Sequence, residues 1–363
     1  MNRLLWVMIL GVVVLAPLAW ADATHIPAGP VSGEWTEQGN PYVIEGDVVI
    51  PEGQTLTIAA KVNVYFSGHY KFTVNGTLEA VAAEKKGLLQ HFMRKEDGYS
   101  IHFTSDPSTN PTGWGGIRFV HASKDCALGN CVIEHGQATG EGADGMGGAI
   151  YVEDSSPDIA NCLIRDNSAT GSGGGIAFVN SKVDVANCSV ANNSAGKMGG
   201  GVFVSGGTVD LANISISKNT GGGLACVSGA KVSVANCEIS GNKGVERGGG
   251  IYANGASVDV ANASISGNEN GGAAFLSGSK ADFANCSIEN NHGSVHGGGI
   301  YCNGSSLDMV NAAVSSNEAG GLYFEEKSEA SLTNCAVSGN HGGKNLEHDA
   351  ASTVSTQNSS VKD

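Results

Sequence analysis

The pair Asn-x5-Asn recurs along the chain at Asn161/Asn167, Asn187/Asn193, Asn213/Asn219, Asn236/Asn242, Asn262/Asn268, Asn285/Asn291, Asn311/Asn317 and Asn334/Asn340. Successive first asparagines are 26, 26, 23, 26, 23, 26 and 23 residues apart. A fixed period of this size marks stacked units, none of which can bury its apolar residues alone. From Asn187 onward the unit is also a double one of 49 residues, marked by Cys188, Cys237, Cys286 and Cys335. A glycine cluster ending in an apolar residue lies between the pairs: GGAI at 147, GGGI at 173, GGGV at 199, GGGL at 221, and GGGI at 248 and 297. These clusters hold much of the chain's 54 glycines, and with only 8 prolines the composition excludes collagen. A mostly helical protein is excluded as well, since each interior glycine costs a helix about 1 kcal/mol.

Within one unit the apolar residues alternate with period two, as strands require. In residues 173–193, Ile176 and Phe178 share one face, then Val183 and Val185, then Cys188 and Val190. The alternation breaks at Asn180-Ser181 and at Ala186-Asn187, so each coil has three short strands separated by bends. Asparagine tolerates the left-handed conformation of such bends, and stacked copies can hydrogen-bond their amides from coil to coil. Three strands per circuit, all running the same way and stacked about 4.8 Å apart, describe a parallel β-helix.

The GGGI-type segments, paired with Val190-x-x-Asn193, Ile216-x-x-Asn219 and Ile239-x-x-Asn242, resemble the GGA[ILV] and FxxN repeats of polymorphic outer-membrane proteins. More broadly the chain resembles the pectate-lyase-like superfamily. The resemblance covers about residues 113–342 and implies an all-β, single-stranded, right-handed parallel β-helix with coils of 23–26 residues. It departs from the outer-membrane family in having Val or Ile where Phe is usual, and in lacking room for a C-terminal barrel. Residues 22–112 read as an N-terminal cap and first coils, with strands at Tyr42–Ile44, Asp47–Ile50, Thr55–Ile58, Lys61–Phe66, Lys71–Val74, Thr77–Val81 and Ser100–Thr104. Residues 84–99 interrupt this pattern as a side loop or short helix, and 343–363 form a polar cap or tail. Residues 1–21 read as a signal peptide: Arg3, an apolar run from Leu4 to Ala16, and the small-x-small site Ala19-Trp20-Ala21. The mature chain is therefore expected outside the cytoplasm, secreted, at the cell surface or in a periplasm, without an integral membrane segment. A net charge of −15 argues against a nucleic-acid partner.

Inward positions build the core, so function belongs to outward ones. On the first strand the outward residue is Tyr151, Ala177, Phe203, Ala225, Tyr252, Ala274, Tyr301 and Tyr323 in successive coils. Exposed rings about 9–10 Å apart would form a platform on which sugar faces stack. The competing reading is that Tyr and Phe are good strand residues covering their neighbours. The middle strand carries Asp158, Asp184, Asp210, Asp259, Asp282 and Asp308, with Ser233 and Ser331 in the same row. Carboxylates about 4.8 Å apart repel, so they splay into solvent, take up protons or share a hard cation such as Ca²⁺. No cofactor is required by any motif.

Nine cysteines in an exported chain suggest disulfides. The spacing opposes most of them, because Cys237, Cys286 and Cys335 sit two coils apart, beyond the roughly 7 Å limit for a bridge. Buried thiols are expected, with Cys226 and Cys302 also inward and only Cys131, Cys162 and Cys188 on consecutive coils. Arg165, outward on a third strand with Asp158 and Asp184 expected nearby, is the one candidate catalytic residue; its bland reading is an exposed arginine beside Asp166. His135, His292, His296 and His341 form no triad and read as loop residues. The primary expectation is a noncatalytic interaction protein that binds glycans or another cell-surface partner. A polysaccharide lyase or glycosidase and a purely structural spacer are the alternatives, and a unique outward cluster of basic and acidic groups would favour the enzyme.

Overall fold

The structure, a computed structural model, describes residues 23–82, 101–106, 109–245, 247–293 and 296–362. The signal-peptide region and the interruption at 84–99 lie outside these residues. The chain is a right-handed parallel β-helix with three long sheets of 13, 13 and 14 strands. The first sheet holds the strands that follow the glycine clusters, such as Ile176–Val179; the second holds Lys182–Ala186 and its equivalents; the third holds Ser189–Ala191 and its equivalents. Every pairing between coils is parallel and in register, so equivalent residues form columns along the axis.

The period-two alternation sorts inside from outside as expected: Ile176, Phe178, Val183, Val185, Cys188 and Val190 are all buried. Each such aliphatic side chain contributes about 1.5–3 kcal/mol by leaving water. The cap region enters the same sheets through strands Tyr42–Ile44, Val48–Ile50, Thr55–Ile58, Asn63–Phe66, Phe72–Val74, Thr77–Val81 and Ile101–Ser105. Its core is more aromatic, with Phe66 stacked on Trp114 at 4.0 Å between centroids. At the other end Leu346–His348, Thr353–Gln357 and Ser360–Lys362 add one strand to each sheet. All nine cysteines are buried and unpaired.

The two asparagines of each repeat do different work. The first sits at the bend between the second and third sheets with φ of 54–56°, and its amide can donate to the preceding coil, as from Asn213 Nδ2 to Asn187 Oδ1 at 3.1 Å. The second is buried under the turn that follows the third sheet. Asn242 Oδ1 accepts from the Asn219 backbone N–H at 3.0 Å and from Asn219 Nδ2 at 2.9 Å, while Asn242 Nδ2 donates to Ile216 O at 2.9 Å. These amides supply the partners that a tight buried turn would otherwise lack.

A fourth, narrow ladder runs beside this asparagine column. It begins as a three-stranded sheet of Gln137–Ala138, Ser168–Ala169 and Ser194–Ala195, and continues as single-residue bridges through Thr220, Lys243, Glu269, His292, Glu318 and His341. Beyond it, turns of two sizes lead into the first sheet: eight residues separate Asn242 from Ile251, but four separate Asn268 from Ala273. Long and short turns alternate from coil to coil over this region.

Candidate functional site

The outward row of the first sheet has the expected register, with Phe203 beside Ala177 and Ala225, and Tyr301 beside Ala274 and Tyr323. Its rings are not the open platform expected. Tyr151, Phe203 and Tyr301 are only 2%, 6% and 6% exposed, while Tyr252 and Tyr323 are half-buried. The reason lies in the long turns, which fold over this face. Met146 and Met198 pack against Tyr151, Ala177, Phe203 and Ala225 as a second, external core. The Arg118 guanidinium lies 4.3 Å above the Tyr151 ring, and that of Arg247 lies 3.9 Å above Tyr301. Tyr301 and Tyr323 stack on each other, and His296 covers Tyr323 with 4.6 Å between centroids. Ring faces that sugars would need are taken by the chain's own side chains.

Burial, with Glu153 nearby, pushes Tyr151 up to about 12. Tyr301 is pushed to about 12 by burial and by its hydrogen bond to Glu325. At Glu325 burial works upward, but the bonds from Tyr301 and Asn303 and the field of Arg247 outweigh it and hold the carboxyl below its usual value.

On the second sheet the aspartates form two exposed runs, Asp158–Asp184–Asp210 and Asp259–Asp282–Asp308, separated by Ser233. Among the described residues no three His, Cys, Asp or Glu side chains already converge on a point that would hold a metal ion. Partial burial, then Asp259 and Asp308, raise the Asp282 carboxyl above its usual value, and Lys280 opposes them. A carboxyl raised by folding costs nothing below its unfolded pKa, about 3.9. The cost appears as pH rises through the folded value. Asp282→Asn is therefore expected to raise the melting temperature at pH 7, with the gain closing below about pH 3.9; thermal melts at the two pH values check it.

Arg165 does not meet Asp158 or Asp184. The bend at Asn161 puts it on the third sheet while they remain on the second. Its partners are Glu134 on the preceding coil, at 2.7 Å, and Asp166 at 3.8 Å. The same outward column continues back through Thr104 to Tyr65, with His102 two residues back along the strand and Thr104 Oγ1 3.0 Å from His135 Nδ1. Burial lowers His102 below the ordinary histidine value, against the pull of Glu134 and with the help of Arg165. Tyr65 is raised by burial, then by Asp106 and Glu134. This group of basic, acidic and phenolic side chains around Arg165 was not legible in the repeat, because its members come from the irregular coils.

Beyond Arg165 the third sheet turns outward Ser189, Ala191, Ser215, Ser217, Ser240, Ser264, Ser266 and Ser287, with Glu238 and Glu289 as its acids. Its border with the second sheet is a shallow open groove lined by the exposed bend asparagines Asn236, Asn262, Asn285 and Asn311 and by Ser264 and Ser287. Amides thus line a channel parallel to the solenoid axis, one per coil, while the facing position of the third sheet is Glu238, Ser264, Ser287, Ala313 and Ala336 in turn. No helix among the described residues is long and apolar enough to cross a membrane.

A family model described as a right handed beta helix region matches residues 200–361. Two solved structures are similar in fold. One is the A-module of the mannuronan C-5 epimerase AlgE6 of Azotobacter vinelandii, 14% identical, covering 94% of this chain and 92% of that one with a TM-score of 0.43. The other is the pectate lyase Pel9A, 13% identical, covering 89% and 70% with a TM-score of 0.29. No curated protein matches.

Proposed function

We propose that the protein is a noncatalytic glycan-binding protein of an extracellular surface, and that a neutral polysaccharide chain lies along the groove between the second and third sheets. The observation that carries this reading is the groove itself, where a bend asparagine recurs in every coil and Ser264 and Ser287 add hydroxyls in two neighbouring coils. Their spacing of about 4.8 Å offers donors and acceptors in a row to a hydroxyl-rich chain. The net charge of −15 and the aspartate runs beside the groove repel polyanions, which favours a neutral ligand. The site differs from the aromatic row, whose ring faces are already covered.

A second reading, a polysaccharide-cleaving enzyme, is favoured by one specific observation: Arg165, Glu134, His102 and Tyr65 gather on one stretch of the third sheet. A histidine kept neutral can accept a proton, and a tyrosine kept protonated can donate one.

A glycan array paired with reducing-end and unsaturated-product assays separates the two. The binding reading expects retention of neutral polysaccharides without turnover. Ser264→Arg with Ser287→Arg should weaken retention at least tenfold while leaving the melting temperature unchanged. Turnover that disappears in His102→Ala would replace this reading with the enzyme.

A further inference from the structure

The fourth ladder changes character halfway along. Its first members are the uncharged Gln137, Ser168, Ser194 and Thr220; from the next coil onward it reads Lys243, Glu269, His292, Glu318 and His341. Basic or imidazole groups alternate with carboxylates, one per coil and about 4.8 Å apart. Lys243 Nζ lies 3.1 Å from Glu269 Oε2, so the first carboxylate already has a cationic partner. Glu318 is placed differently, between two histidines on the coils before and after it. His292 Nε2 is 3.9 Å from Glu318 Oε1, and the two side chains are 58% and 59% exposed. His341, also exposed, bridges to Glu318 from the other side.

We infer that His292, Glu318 and His341 form a binding site for a divalent cation of the zinc type, on the corner between the third and first sheets. Two imidazoles and one carboxylate are a donor set that such ions accept, leaving a coordination position for water. The parallel register supplies the placement: the histidines are two coils apart, about 9–10 Å at Cα, and the glutamate stands midway. The three groups do not converge in the structure. Because the side chains project into solvent, closing them on an ion requires only staggered rotamer changes. An ion pair alone would serve a simpler end, since opposite charges across a ladder stabilise it by about 0.2–1 kcal/mol. That account explains Lys243 with Glu269, but it leaves unexplained why the next two basic positions are both histidine, the commonest side-chain metal ligand. The aspartate runs of the second sheet offer only oxygen donors and would select a harder ion.

The test is calorimetric titration of the tag-free full chain with Zn²⁺ and, separately, Ca²⁺. The expected result is one saturable Zn²⁺ site per chain that excess Ca²⁺ does not displace. Combined His292→Ala and His341→Ala should weaken it at least tenfold, and Glu318→Gln by a smaller factor. Both variants should melt like the parent without Zn²⁺, because none of the three side chains is part of the core. Absence of saturable Zn²⁺ binding by the parent, or unchanged affinity in the double-histidine variant, overturns the proposal; the latter would move the site to other histidines.

Discussion

Replacing Asn242 with alanine is expected to destabilise the protein by about 3–5 kcal/mol, as read from the urea midpoint, because each buried polar group left without a partner costs about 1–3 kcal/mol. The backbone N–H and side-chain amide of Asn219 lose their acceptor, and Ile216 O loses a donor. The acceptor Asn268 Oδ1 loses one of its contacts as well. Asn236, six residues earlier in the same repeat, provides the control. It is exposed at a φ of 56° and makes its bend by conformation rather than by burial. Asn236→Gly should be nearly neutral, since glycine adopts that conformation freely. Equal losses at the two positions would contradict the division of labour between the asparagines.

The second large effect is expected at Gly298. A Cβ there would lie 1.6 Å from the carbonyl oxygen of Glu318 and 2.8 Å from its carbon, both backbone atoms of the next coil. The turn cannot yield without breaking the contact between coils, so Gly298→Ala should cost more than about 3 kcal/mol, beyond ordinary overpacking. Gly278→Ala is the counterpart. It has a φ of +78° but nothing within 4 Å of the new Cβ, so only the torsional penalty of about 1–2 kcal/mol remains. Thermal melts of the two variants should therefore separate widely. Similar melting temperatures would show that torsion, rather than close approach of coils, explains the glycine clusters.

The fold was legible because its information is periodic. Ile176, Phe178, Val183, Val185, Cys188 and Val190 declare their side of the sheet by alternation alone, and the same rule extended to the strands of residues 42–81. Alternation states which way a side chain leaves its strand but not what covers it afterwards. For this reason Tyr151, Phe203 and Tyr301 were correctly placed outward and wrongly expected in solvent: Met198 and Arg247 come from the turns that lie over that face, and Arg118 from the irregular coil before Tyr151, in the same column. Arg165 was placed on the correct strand and beside Asp166, yet its other neighbours were misassigned because Glu134, His102 and Tyr65 belong to coils whose lengths differ from the repeat. Without a repeating register, sequence separation gives no lateral distance. The two roles of asparagine were hidden for another reason, since burial of an amide leaves no trace in a pattern of apolar residues.

The alternation of long and short turns makes two coils, not one, the smallest piece that can be added or removed while every turn keeps its proper neighbour. Along the regular region, nearest-neighbour contacts repeat after each such pair. The molecule is in that sense a ruler graduated in double steps, about 9–10 Å each. Its reach can change by whole graduations while both ends, and the groups gathered around Arg165, stay as they are.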